Sequence, residues 1–259
     1  MTLSNLSIIE SVFQKSVLTG QNSGVVVLNN NNFTKIERSK FKSVSSIKDI
    51  VQVAYLYDEV SKQLNLKYCD FIGSSQDILG LYSKQSTSII IKGSNFSDFN
   101  TVSYSALTIV SASEGCNLSL KASKLTKNKS QKNGGGAYIQ NCNSSFEDTE
   151  LSFNEAKESA GGLYFTSPTC DNCGLFITGN SKLFNNSCTA NGGAIKWEDF
   201  KPYIQKRELI FNNSAEYGLD LASIPARLRI PHFRQLLDLT LGTFQDVPPG
   251  KMYTNPGEL

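Results

Sequence analysis

The sequence of 259 residues holds one histidine, one tryptophan and two methionines. A single imidazole, that of His232, excludes any site built on paired histidines, the commonest zinc and acid–base arrangements. Charge of one sign is not in excess: 25 Lys and Arg against 23 Asp and Glu leave +2. The basic residues are scattered, so the electrostatic footprint of a nucleic-acid binder is missing. No apolar run has the length of a membrane span, so no membrane contact by this segment is expected. The start, "MTLSNLSIIESVFQKSVL", lacks the basic and apolar parts of a signal peptide. That leaves a cytosolic protein or a fragment of a larger one, and a solenoid that begins mid-coil favours the fragment. Sustained helical periodicity is also missing.

Glycine before short apolar runs is what the chain does have. "NGGGAYIQ" (133–140), "AGGLYFTS" (160–167) and "NGGAIKWE" (191–198) share one arrangement, and "YGLDLAS" (217–223) is a worn copy. The residues after the glycines, Ala137, Leu163, Ala194 and Leu219, are 26, 31 and 25 positions apart, an interval that means structural repeats. Upstream of each lies an apolar residue followed closely by Asn. Two columns extend through the chain: Phe13, Phe41, Phe71, Phe96, Leu125, Leu151, Leu183, Ile210, and Val25, Val51, Leu79, Leu107, Ala137, Leu163, Ala194, Leu219.

Within each repeat apolar residues alternate over runs too short for helices, as in Leu107/Ile109 and Leu163/Phe165, which is the half-buried strand signal. A unit of two or three short strands cannot bury an apolar face alone but can do so by stacking on copies of itself. The expected fold is therefore all-β: a right-handed parallel β-helix solenoid of about eight coils over residues 1–223. At the usual strand spacing it is on the order of 38 Å long. Lys124, Glu150 and Lys182 precede the Phe/Leu column and alternate in sign, as outward neighbours on successive coils should. Asn128, Asn154 and Asn185 each stand eight residues before the last glycine of their run (Gly136, Gly162 and Gly193) and are candidates for a stacked amide ladder; the competing reading is ordinary turn asparagine.

The "GGAI", "GGLY" and "GGAY" elements with Phe/Asn segments upstream resemble the repeats of polymorphic outer-membrane proteins and of related pectin-lyase-like β-helices in large ciliate surface proteins. The resemblance is sharp over about residues 125–223. Here Asn directly follows Phe at 153/154, 184/185 and 211/212, and no bacterial membrane barrel follows, so the ciliate comparison fits better. It implies an extracellular or cell-surface scaffold, part of a larger chain, with adhesive or structural roles.

Pro225 and Pro231 break the period, so 224–259 reads as a cap and Pro/Gly-rich linker towards a further domain. Cys170 and Cys173 form "CDNC", open to three readings: a disulfide, buried thiols, or half a metal site completed by Cys142 or Cys188. Sequons at Asn5, Asn32, Asn95, Asn128, Asn143, Asn185 and Asn212 are candidate glycosylation sites; an eighth, Asn117, begins a predicted strand.

Because β-helices also carry polysaccharide lyases and glycoside hydrolases, the fold alone does not decide function. A hydrolase needs paired carboxylates, and a lyase an acid cluster holding calcium beside an Arg or Lys base. Glu147, Asp148 and Glu150 are the densest acids, but Lys124 and Lys182 match them on adjacent coils, so they read as strand-face charges; Asp58/Glu59 and Glu155/Glu158 read as loop charges. No catalytic residue, metal or cofactor is expected. The outward neighbours of the second column include Tyr138 and Tyr164, an aromatic platform for a protein or carbohydrate partner. The expectation is a non-catalytic scaffold, with a lyase or hydrolase as the alternative.

Overall fold

The computed structural model describes residues 4–14, 17–18, 24–42, 45–46, 53–73, 78–112, 115–170 and 172–223. The segment 224–259 and Val51 lie outside the described residues. Every strand pairing is parallel, and each strand pairs with the equivalent strand of the coils before and after it. One sheet holds eight strands, from Val12–Gln14 to Ile210–Phe211, so the chain makes about seven turns of a β-solenoid between the first and the last.

The Phe/Leu column is the central seam of that sheet. Phe13, Phe41, Phe71, Phe96, Leu125, Leu151, Leu183 and Ile210 are consecutive register partners, as their spacing predicted. The rings of Phe41, Phe71 and Phe96 stack with centroids 4.6 Å apart. A ring at each rung matches the strand spacing, so successive rings pack face to face along the lumen. Lys124 and Glu150, register partners outside, form an ion pair at 3.5 Å.

The second column requires a correction. The inward residues are Val26, Leu56, Leu81, Leu107, Ala137, Leu163, Ile195 and Leu221. Leu107, Ala137 and Leu163 agree with the sequence reading. Val25, Leu79, Ala194 and Leu219 are displaced by one or two residues. At Ala194 the cause is a triplet of small residues, present in three coils as Gly134–Gly136, Ala160–Gly162 and Gly192–Ala194, in which glycine and alanine trade places; the coils of Val25, Leu79 and Leu219 lack the triplet that would have fixed the alignment. The first position bends the chain left-handed, with φ 61° at Ala160 and 72° at Gly192. The second packs directly beneath the next coil: a Cβ on Gly161 would lie 2.5 Å from the carbonyl oxygens of Gly193 and Ser187. Glycine is therefore needed there because a coil stacks on it.

Polar side chains hold the corners. One ladder is Asn128, Asn154, Asn186 and Asn213, each buried, with successive side-chain amides joined at 2.9–3.0 Å. Asn185 is not the rung. It occupies the left-handed bend just before it, with φ 53°, in a column with Asp98, Lys127, Phe153 and Asn212. At the opposite corner Ser94, Ser123, Thr149 and Ser181 are buried, and the main-chain N–H of Cys69, Ser94 and Thr149 each donate to a hydroxyl one coil on, at 3.1 Å. Main-chain groups that a corner would orphan are thereby satisfied.

In the early coils, strand Val53–Lys67 serves two faces at once. Its first half pairs with Ile78–Lys84 and its second with Ser88–Lys92. Between the halves Asp58 is fully buried and accepts hydrogen bonds from Ser61 (2.6 Å), Ser83 (3.0 Å) and Ser86. This corrects its reading as a loop charge: its register partner Ser83 is equally buried.

Candidate binding face: a column of tyrosines

On the face outside the second column, Tyr57 and Tyr82 are register partners, as are Tyr138 and Tyr164; Thr108 lies between the pairs and Lys196 follows them. Each pair stacks with centroids 5.3 Å apart. Tyr104 fills the place left by Thr108, meeting Tyr82 edge-on at 5.6 Å. Thr108 holds the turn beneath it, its hydroxyl accepting from the Ser105 N–H (3.1 Å) and donating to the Ser105 carbonyl (3.0 Å). Sequence reasoning found Tyr138 and Tyr164 but missed the other three. The dipeptides Leu56-Tyr57, Leu81-Tyr82, Ala137-Tyr138 and Leu163-Tyr164 carried the signal, an inward residue followed by an outward Tyr.

The column is largely covered. Tyr57, Tyr82 and Tyr164 are 3, 4 and 7 % exposed, whereas Tyr138 and Tyr104 are half-buried. Tyr138 donates to Gln140 at 3.1 Å. Tyr164 donates to Glu198 at 2.5 Å, and Lys196 Nζ lies 5.4 Å over its ring and 3.6 Å from Glu198. Burial pushes the Tyr82 phenol up to about 12, and pushes those of Tyr138 and Tyr164 upward too, the last further raised by its bond to Glu198. The phenols thus remain protonated donors across the neutral range. What this face offers a partner is the Tyr138 and Tyr104 rings with Gln140 and the Lys196–Glu198 pair at its end.

A second feature is an open groove of about 440 Å³ lined by residues that include Lys124, Asp148, Glu150, Asn180 and Lys182. Asp148 accepts from the Asn180 N–H at 2.9 Å, and Glu150 from the Ser152 hydroxyl at 2.8 Å. Glu147 pairs with Lys121 at 2.6 Å and Glu155 with Lys129 at 2.7 Å, both across adjacent coils.

Of the sequon asparagines, Asn5, Asn32, Asn95 and Asn212 are exposed, and Asn143 and Asn185 half-buried. Asn128 must be withdrawn as a glycosylation site: its amide is fully buried in the ladder and bonded on both sides, so no glycan can occupy it in the folded chain. Asn117, set aside as a strand residue, points outward. Cys170 is joined to Cys173, with Cα atoms 5.5 Å apart, and Cys116 to Cys142 at 4.7 Å. Cys69 and Cys188 carry free thiols, that of Cys69 buried at a position where neighbouring coils have serine.

Comparison with protein-family models, with curated proteins and with solved structures finds no match to this chain.

Proposed function

We propose that the chain is a non-catalytic segment of a surface or secreted β-helix scaffold that acts in adhesion or structural assembly. The observation that carries this reading is the pairing of its surface acids. Glu147, Glu150 and Glu155 each meet a lysine from the preceding coil at 2.6–3.5 Å, the pattern that neutralises a stacked sheet face. Two disulfides suit an oxidising compartment, and the resemblance to polymorphic outer-membrane and ciliate surface repeats supplies the extracellular setting. The partner, a protein or carbohydrate surface, meets the Tyr138 face, where flat rings and a polar edge stand together.

The test is retention of cells or glycans on beads coated with the chain. Binding that falls when Tyr138→Ala and Tyr104→Ala are introduced, with the circular dichroism spectrum unchanged, supports the reading; binding indifferent to both sinks the assignment of that face.

The groove favours one other reading, a polysaccharide lyase with Lys124 or Lys182 as base. Incubation with polyuronates and calcium, followed through the ultraviolet absorbance of unsaturated uronate ends, separates the two. Release abolished by Lys182→Ala would replace the scaffold reading.

A further inference from the structure

Phe184 and Phe211 are register partners on the strands Lys182–Phe184 and Ile210–Phe211, on the outer side of the sheet, with rings stacked at 5.3 Å. Phe153, one coil earlier, meets Phe184 edge-on at 5.6 Å. Phe153 and Phe211 are 51 and 40 % exposed. At the position of Phe184 and Phe211 the three preceding coils carry Ser97, Thr126 and Ser152, so nothing in the repeat calls for rings there. Phe153 also holds the left-handed bend at φ 56°, a conformation that a bulky residue rarely takes.

Asn185 and Asn212 follow Phe153 in that column of bends. Each opens a sequon, Asn185-Asn186-Ser187 and Asn212-Asn213-Ser214. In both, the middle asparagine is the buried rung of the amide ladder, while the side chain of the first has no hydrogen-bond partner among the described residues. Other sequon amides are engaged: Asn95 donates to Asp70 at 2.8 Å and Asn143 to Asn117 at 3.4 Å. Of the two at this corner, Asn212 is exposed and Asn185 half-buried. They stand one coil apart, about 4.8 Å, too close for a branched glycan on each.

We propose that Asn212 carries an N-glycan whose first sugars lie over the Phe211, Phe184 and Phe153 rings; the inference rests on the secreted reading above. The Asn212 amide nitrogen attacks the anomeric carbon of a pyrophosphate-activated oligosaccharide. An N–C bond forms, the bond from that carbon to the phosphate oxygen breaks, and the amide proton leaves with the pyrophosphate, before folding buries Asn213. A pyranose has a face of C–H bonds and a rim of hydroxyls, so it covers an aromatic ring while its rim stays in water. Attachment beside the rings holds the sugar there at high effective concentration, so contacts too weak to capture a free sugar suffice. The rings that stand open on the bare chain are thereby covered by its own modification.

The experiment uses the full chain secreted from eukaryotic cells behind a cleavable leader. Enzymatic release of glycans in heavy-oxygen water marks each occupied asparagine as a labelled aspartate for peptide mass spectrometry. Asn212 should be marked and Asn185 unmarked. Removing the glycan through Asn212→Gln should lower the thermal midpoint by about 2–4 °C when Phe211 is present. With Phe211→Ser, the residue that Ser97 and Ser152 supply on earlier coils, the same removal should leave the midpoint unchanged. An unmarked Asn212 in a folded, secreted chain overturns the proposal, as does an equal shift in the Phe211→Ser background. A glycosylated chain that sediments as a dimer, and as a monomer with Phe211→Ser, would assign the rings to a second copy and overturn it too. Marks at Asn32 or Asn95 with none at Asn212 would defeat this site and leave the secreted reading standing, whereas no mark at any sequon would tell against both.

Discussion

The side-chain carbonyl of Asn154 accepts two hydrogen bonds from Asn128, one from its main-chain N–H at 3.1 Å and one from its side-chain amide at 3.0 Å. Its own amide donates to Asn186 at 2.9 Å and to the Leu125 carbonyl at 2.9 Å. Replacing Asn154 by alanine orphans the buried Asn128 N–H and removes three further hydrogen bonds of the ladder, a loss of about 2–4 kcal/mol. Urea unfolding should show it as a lower midpoint.

The neighbours Asn185 and Asn186 should behave oppositely. Asn186→Ala breaks the same ladder and should cost about as much as Asn154→Ala. Asn185→Gly relieves a left-handed backbone at φ 53° and should be within about 0.5 kcal/mol of neutral or stabilising. Comparable losses in both variants would mean that the register at this coil is wrong.

Gly161→Ala should be among the most damaging single-methyl changes in the chain. The added carbon meets the carbonyl oxygens of Gly193 and Ser187 at 2.5 Å, backbone that cannot yield without shifting a coil. A loss of about 2–4 kcal/mol is expected. At the equivalent position of the last described coil stands Leu219, half exposed, and Leu219→Ala should change stability by less than about 1 kcal/mol.

Asp58 should make stability depend on pH. Burial raises its carboxyl above the ordinary value of 3.8, more than the three serine hydroxyls lower it. A raised pKa means that the folded chain holds a proton the unfolded chain has released. The favourable contribution is thus full below pH 3.8 and is lost as pH rises through the folded value. Asp58→Asn removes that slope and should raise stability at neutral pH by on the order of 1 kcal/mol, read from thermal midpoints across a pH series.

The two disulfides should differ in worth. Cys116–Cys142 closes a separation of 26 residues and should contribute about 3–4 kcal/mol, while Cys170–Cys173, at a separation of 3, should contribute about 1–2 kcal/mol. Denaturation of Cys116→Ala/Cys142→Ala and Cys170→Ala/Cys173→Ala gives both.

The Phe/Leu column was legible from end to end because a large apolar residue recurs in every coil at a nearly constant interval, flanked on both sides by polar residues at Phe41, Phe96, Leu125 and Leu151. The glycine column was not. Three successive small residues mark the corner, and a reading anchored on the doublet in "NGGAI" slips by one where alanine takes the third place. In a strand a slip of one reverses inside and outside, so Ile195 and Asn186 were both passed over for their neighbours. In the early coils, which lack the doublet, a slip of two hid Tyr82 behind Gly80. Cys116 gave no signal of its partner, since adjacency along the axis becomes visible only once the register is known.

The asparagine ladder also has a direction. Each amide sends one N–H towards the coil that follows, so the bond dipoles align along the solenoid axis and their donor end emerges at Asn213. There it meets the carboxylate of Asp220 at 2.8 Å. The column therefore has a positive pole and a negative terminal group, the axial counterpart of an acid at a helix N-terminus. At the last described rung the ladder is thus closed by a carboxylate where each earlier rung is closed by the next amide.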